Sequence, residues 1–303
     1  MLLHDVVGNT PIVKLEKISK DLYADIYVKL EFLNPWGSIK DRAAKSMLES
    51  AIKNGQIDSQ TTIVEATTGN TGISLAGICA SMGLKLIIVM PEYVSEERKK
   101  LLTLLGAEII LTPSGENYAG AVKKAQMLSK KANYFLVDQG NNLNNPQAHY
   151  QTGNEIINFF NGTPDIFIAG IGTGGHCNGI GNTLKKYRSD TYIVAIEPKS
   201  AAVLSQTTPL DEINSNHGVL GIGPGIIANT VDRNIIDEVY IIDENSAFQT
   251  TRKIIESEGL LIGISSGASL HCAIELASRE ENKGKKILTI AASQTERYLS
   301  VGI

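Results

Sequence analysis

The chain has 303 residues, 43% of them hydrophobic and 20% charged, with a net charge of −4. At roughly 150 residues per domain this length implies about two domains, and a chain of this size buries enough apolar surface to fold without disulfides or structural metal. Slight acidity, with no run of five like charges, argues against nucleic acid or a membrane as the main partner and makes a small molecule the default ligand.

Apolar β-rich runs alternate with stretches of helical period, the pattern of an α/β protein with a mostly parallel sheet and helices on both faces. Strands are predicted at Ile26–Leu30, Thr62–Glu65, Leu84–Met90, Ala107–Leu111, Tyr134–Val137, Asp165–Ala169, Thr191–Ile196, Glu238–Ile242 and Lys286–Ile290. The clearest helices between them are Ser38–Asn54, Thr71–Met82, Ser95–Leu105 and Asn245–Glu258, each stopped by the glycine that follows. Polar, turn-rich stretches at 138–146 and 198–234 are the candidate boundaries.

Cys79, Cys177 and Cys272 are odd in number and far apart, and no C-x-x-C or H-x-x-x-H spacing occurs, so neither disulfides nor a metal is expected. The opening residues show no basic segment leading into an apolar one, and the longest uncharged runs are full of Gly, Thr and Asn. A cytoplasmic protein is expected.

Three segments share a strand, a Gly/Ser/Thr loop and a helix start: Glu65-Ala-Thr-Thr-Gly-Asn-Thr-Gly72, Gly170-Ile-Gly-Thr-Gly-Gly175 and Gly263-Ile-Ser-Ser-Gly267. Such loops turn backbone N–H groups toward a helix N-terminus, which attracts anions. The middle one is a formal G-x-G-x-x-G with Glu197 about 20 residues on, so a nicotinamide dinucleotide competes with a single phosphate as its ligand. The third matches G-x-S-x-G around Ser265, but only His271 follows it and no Asp does, which argues against a hydrolase triad.

Lys40 lies near the start of a helix that Ser38 can cap, where the positive end of the helix dipole disfavours an ammonium and lowers its pKa. A lysine in that place, beside the chain's only Trp, suits a neutral amine that forms a Schiff base.

Together these segments resemble the cysteine synthase and cystathionine β-synthase family of pyridoxal-phosphate enzymes. The likeness runs from Gly8-Asn-Thr-Pro11 through Asn34-Pro-Trp-Gly-Ser-Ile-Lys-Asp-Arg42, Thr68-Gly-Asn-Thr-Gly72, Met90-Pro-Glu92, Gly172-Thr-Gly-Gly175 and Gly263-Ile-Ser-Ser-Gly267 to Glu296-Arg-Tyr-Leu-Ser300. The resemblance implies the two-domain tryptophan synthase β-like fold (fold type II). Residues 1–36 and 145–303 would form a large cofactor domain, and 37–144 a smaller mobile one. It implies pyridoxal 5′-phosphate as cofactor, β-replacement on a three-carbon amino acid through an aminoacrylate, and a homodimer.

Residue roles are implied in the same way. Lys40 would hold the cofactor as a Schiff base and, once displaced, remove the Cα proton. Asn70 would bind the cofactor's phenolic oxygen; Gly172, Thr173, Gly174, Gly175 and His176 its phosphate; Ser265 its ring nitrogen. Thr67, Thr68, Thr71 and Gln139 would bind the substrate carboxylate, with Gly140 and Gly221 beside the substrate. O-acetylserine plus sulfide giving cysteine is the commonest reaction of the family, and a sister reaction starts from cysteine and releases hydrogen sulfide.

The sequence departs from the family at four places. Thr68 stands where serine is common, His176 replaces a threonine, Gly140-Asn141 replaces an aromatic residue, and Leu220 a polar one. The last two touch the side of the pocket that takes the leaving group and nucleophile. Gly140, with the amides of Asn141 and Asn142 nearby, is expected to open room for a bulkier thiol.

Overall fold

A computed structural model describes residues 1–302. The chain forms two compact units, Met1–Val7 with Asn34–Asn145, and Gly8–Leu33 with Pro146–Ile303.

The smaller unit is built on four parallel strands: β3 (Thr62–Ala66), β4 (Lys85–Pro91), β5 (Glu108–Thr112) and β6 (Tyr134–Leu136), in the order β5-β4-β3-β6. These strands read as unbroken apolar runs because helices cover both faces, leaving no side that must be polar. On one face α2 (Lys40–Lys53) and α3 (Asn70–Met82) bury Met47, Leu48, Leu75 and Ile78 against Ile63, Ile88 and Met90. On the other, α5 (Asn117–Leu128) sets Ala121 and Ala125 on Val64 and Val89. Helix α4 (Glu96–Leu104) lies between β4 and β5 in the chain. The opening segment Met1–Val7 belongs to this unit rather than to the larger one, where the sequence reading put it. Its buried His4 accounts for this, with Nδ1 2.9 Å from Ser81 Oγ.

The larger unit holds six strands in the order β1-β2-β10-β7-β8-β9. They are β1 (Ile12–Lys14), β2 (Asp25–Lys29), β7 (Ile166–Gly170), β8 (Tyr192–Pro198), β9 (Glu238–Ile242) and β10 (Lys286–Ile290). All pairs are parallel except β1 with β2. Strand β1 was not predicted, since three residues are too few to show a period. The helices of this unit are α1 (Glu16–Ser19), α7 (Gly175–Tyr187), α8 (Glu244–Glu258) and α9 (Ile264–Ala277), and α6 (Asn144–Phe160) carries the chain into it. Ala268, Leu270 and Cys272 of α9 pack with Ile168, Val194 and Ile287 in the core. The Gly8-Asn9-Thr10-Pro11 motif anchors this unit: Lys29 Nζ pairs with Glu155 at 2.7 Å and donates to the Thr10 carbonyl, while the Thr10 hydroxyl donates to Glu31.

Among the described residues no helix is long and apolar enough to cross a membrane. Cys79, Cys177 and Cys272 are buried free thiols, and burial pushes Cys79 and Cys177 up to about 12.

Candidate active site

In the smaller unit, Lys40 is the first residue of α2. The residue at the cap position is Ile39, not Ser38, yet Ser38 Oγ still accepts the Lys40 backbone N–H at 3.3 Å. The neighbouring Asp41 is fully buried and accepts from the Trp36 backbone N–H at 2.8 Å and from Ser74 Oγ at 2.5 Å. Ser74 Oγ also lies 3.1 Å from the Asn70 carbonyl, so one hydroxyl ties the first turn of α3 to the first turn of α2. Part of the Lys40 side chain remains exposed, but desolvation of its amine lowers the pKa to about 8. Burial therefore does what the sequence reading had assigned to the helix dipole.

Strands β3 and β6 are parallel neighbours, so the loops leaving their carboxyl ends emerge side by side, where open α/β sheets place their ligands. This brings Thr71 to Gln139: the Thr71 hydroxyl donates to Gln139 Oε1 at 2.7 Å, across 68 residues of sequence. Thr67 Oγ1 accepts the Gly69 N–H at 3.1 Å, and the Asn145 amide donates to the Gln139 carbonyl. The Thr68 carbonyl accepts from the guanidinium of Arg98 on α4, a residue to which no role was given and whose contact leaves no local signal. Glu65, near the end of β3, opens the threonine-loop segment and has no role in the sequence reading. It is buried, and desolvation raises its pKa to about 8.

In the turn after Gln139, the Asn141 amide donates to Asp138 and the Asn142 amide to the Val137 carbonyl, so both help to hold the turn together.

In the larger unit, β7 runs through the loop 171–174 into α7, whose first residues are Gly175 and His176. A phosphate at a helix N-terminus needs N–H groups not screened by side chains. The loop meets that need. A Cβ on Gly172 would stand 2.9 Å from the Gly221 carbonyl oxygen, and one on Gly174, whose φ is +76°, would stand 2.5 Å from a Val231 methyl. The Thr230 hydroxyl donates to the Thr173 carbonyl, and Gly223 N–H to that of Ile171. His176 is buried with its ring 6.1 Å from that of His149. Ser265 is buried in the first turn of α9, and a Cβ on Gly221 would lie 3.5 Å from its Oγ. The structure thus brings the glycine loop, Gly221 and Ser265 together.

Two rival readings fail on geometry. The Glu197 carboxylate accepts the Leu204 and Ser205 backbone N–H groups at 2.8 Å and the Ser205 hydroxyl as well, so it closes its own turn and does not wait for a ribose. His271 is on the same helix as Ser265, with its ring nitrogens 3.0 Å from Thr250 Oγ1 and 3.5 Å from Glu275, and no hydrolase triad forms.

The smaller unit thus carries a lysine amine of lowered pKa and a hydroxyl-rich loop at the end of a parallel sheet, and the larger unit carries a glycine nest at a helix N-terminus. Residues 3–293 match the family model described as pyridoxal-phosphate dependent enzyme, and the chain belongs to that family. A cysteine synthase of Staphylococcus aureus is 45% identical over 297 residues, 97% of this chain and 94% of its own. The crystal structure of a cysteine synthase from Entamoeba histolytica matches with a TM-score of 0.93 at 34% identity, covering 98% of this chain and 88% of that one. A hydrogen sulfide-producing enzyme from Fusobacterium nucleatum matches with a TM-score of 0.90 at 39% identity over 98% of both chains. The protein is a pyridoxal-phosphate-dependent enzyme of the cysteine synthase kind with the fold type II architecture.

Proposed function

We propose that the protein makes cysteine by replacing the acetate of O-acetylserine with sulfide. The observation that carries this reading is Lys40: burial lowers the pKa of its amine from 10.5 to about 8, so far more of it is the free base that a Schiff base and a Cα-proton transfer require than in an exposed lysine. When bound, the cofactor supplies the electron sink that lets a Cα proton and a Cβ leaving group depart.

The chain's own residues do the rest. Lys40 holds the cofactor and then carries the Cα proton. Gly172, Thr173, Gly174 and Gly175 hold the phosphate with backbone N–H groups and a hydroxyl, with His176 beside them, and Asn70 binds the phenolic oxygen. Ser265 meets the ring nitrogen with a neutral hydroxyl, a weaker electron pull than a carboxylate-held proton, which favours loss of the Cβ group. Thr67, Thr68, Thr71 and Gln139 bind the substrate carboxylate, and Gly140 and Gly221 leave room beside the substrate. The same reading gives a homodimer in the cytoplasm, and light scattering on the purified protein tests the dimer.

The deciding assay gives the holoenzyme O-acetylserine with sulfide and follows cysteine. Cysteine formation that K40A abolishes supports the reading. Turnover of serine or cysteine alone, with none of O-acetylserine, overturns it.

A second reading takes cysteine as the β-substrate, releasing hydrogen sulfide and forming lanthionine, cystathionine or serine. It is favoured by the likeness to the sulfide-producing enzyme of Fusobacterium nucleatum. Incubation with cysteine alone and measurement of sulfide and lanthionine tests it.

A further inference from the structure

Glu65 is a carboxylic acid with 2% of its surface exposed, placed behind the carboxylate-binding loop and not in it. Its Oε2 accepts the Asp138 backbone N–H at 2.8 Å, and the backbone and side chain of the next residue, Gln139, act on it to lower its pKa against the larger effect of burial. The Gln139 Oε1 takes the Thr71 hydroxyl at 2.7 Å, and Tyr118, whose hydroxyl donates to the Ala66 carbonyl at 3.0 Å, is close enough for Gln139 to lower its pKa. The charged and titratable groups facing Glu65 are Asp138, from the turn after β6, and Tyr118, from α5. Neither offers a positive charge.

This arrangement sets two anions in competition. A substrate carboxylate on Thr67, Thr68, Thr71 and Gln139 calls on the Gln139 side chain that Glu65 also acts on, and wherever Glu65 is ionised it brings a second negative charge up to a buried first one. Like charges in a desolvated place cannot both stay ionised cheaply. We propose that Glu65 is a positioning residue that takes up a proton when the substrate carboxylate binds, releasing the Gln139 amide to the substrate. The proton comes from solvent, no covalent bond of the substrate changes, and the neutral carboxyl still accepts the Asp138 N–H. This inference rests on the proposed role of Gln139.

The burial that raises the Glu65 pKa to about 8 gives the sign. Below that pH the acid is already neutral and binding takes up no proton. Above it, each pH unit weakens binding by up to about tenfold. The effect is testable on the holoenzyme with L-alanine, an amino acid with no leaving group, titrated by the change in the cofactor's visible absorbance from about pH 7 to about pH 9.5. The expected result is a dissociation constant that climbs above pH 8 in the wild type and a flatter profile in E65Q. Calorimetry of the unaltered enzyme in two buffers of different ionisation enthalpy should show proton uptake that appears as the pH passes 8. Identical pH profiles in E65Q and wild type would overturn the proposal. If E65Q does not fold, absence of uptake in the unaltered enzyme overturns it alone. Q139A separates the two claims: unchanged L-alanine affinity in Q139A removes the underlying reading, whereas weakened affinity beside an unaltered E65Q profile removes only the role of Glu65.

Discussion

Gly172 and Gly221 approach so closely that a Cβ on the first would stand 2.9 Å from the carbonyl oxygen of the second. The glycine nest is thus roofed by backbone, which cannot swing aside as a side chain can. Gly172→Ala must push the 221–223 segment away, and with it the residue that borders Ser265. Overpacking of this kind costs about 1–3 kcal/mol. The expected result is loss of pyridoxal-phosphate retention in a folded protein, read by titrating apoprotein with the cofactor. Gly174→Val should do the same, since φ is +76° there and Val231 fills the space. Full retention in both variants would move the phosphate elsewhere.

Reduction of the holoenzyme with borohydride and peptide mapping should place the pyridoxyl group on Lys40. The apoprotein adds a pH signature. Because burial holds the folded pKa near 8, below the ordinary lysine value of 10.5, the folded state is penalised below pH 8 and gains stability as pH rises from there toward 10.5. Replacing the amine with a similar apolar chain, K40M, should raise the apoprotein Tm at pH 7. That advantage should shrink as pH rises, and a gain independent of pH would show that the amine is not desolvated.

Asp41 joins α2 to α3 through Ser74 and holds the Trp36 N–H. D41A takes the acceptor from the Trp36 N–H, at about 1–3 kcal/mol, while the Ser74 hydroxyl falls back on the Asn70 carbonyl. Chemical denaturation should show that loss. Attachment of the cofactor to Lys40 should also slow, because the helix start that carries the lysine is no longer pinned. A Ser74→Ala variant should show a smaller part of the same effect.

Glu197 supports a turn. E197A should lower thermal stability by leaving the Leu204 and Ser205 N–H groups without their acceptor, while pyridoxal-phosphate binding stays intact. NADH fluorescence should be unaffected by adding either form of the protein. A dinucleotide affinity that E197A abolishes would revive the oxidoreductase reading.

The elements that the amino-acid order determines by itself are those with local causes. Long apolar runs such as Leu86–Met90 become buried parallel strands, and helices end where Gly83 and Gly259 take positive φ. The threonine loop and the glycine loop are also legible as loops between a strand and a helix, because each is a contiguous motif. What remained hidden is set by partners far along the chain. Strand β1 exists only because β2 offers it an edge. The partners of the Asn141 and Asn142 amides, Asp138 and the Val137 carbonyl, are visible only in the folded turn. Glu197 has the dinucleotide spacing, but its hydrogen bonds come from Leu204 and Ser205. The order β5-β4-β3-β6 sets the β3 and β6 loops side by side, and so joins Thr71 to Gln139. Burial tunes the Lys40 amine and the Glu65 carboxyl to about 8 each. Desolvation belongs to the packed interior and not to neighbours in sequence, so only the tertiary structure decides the charge on these two groups.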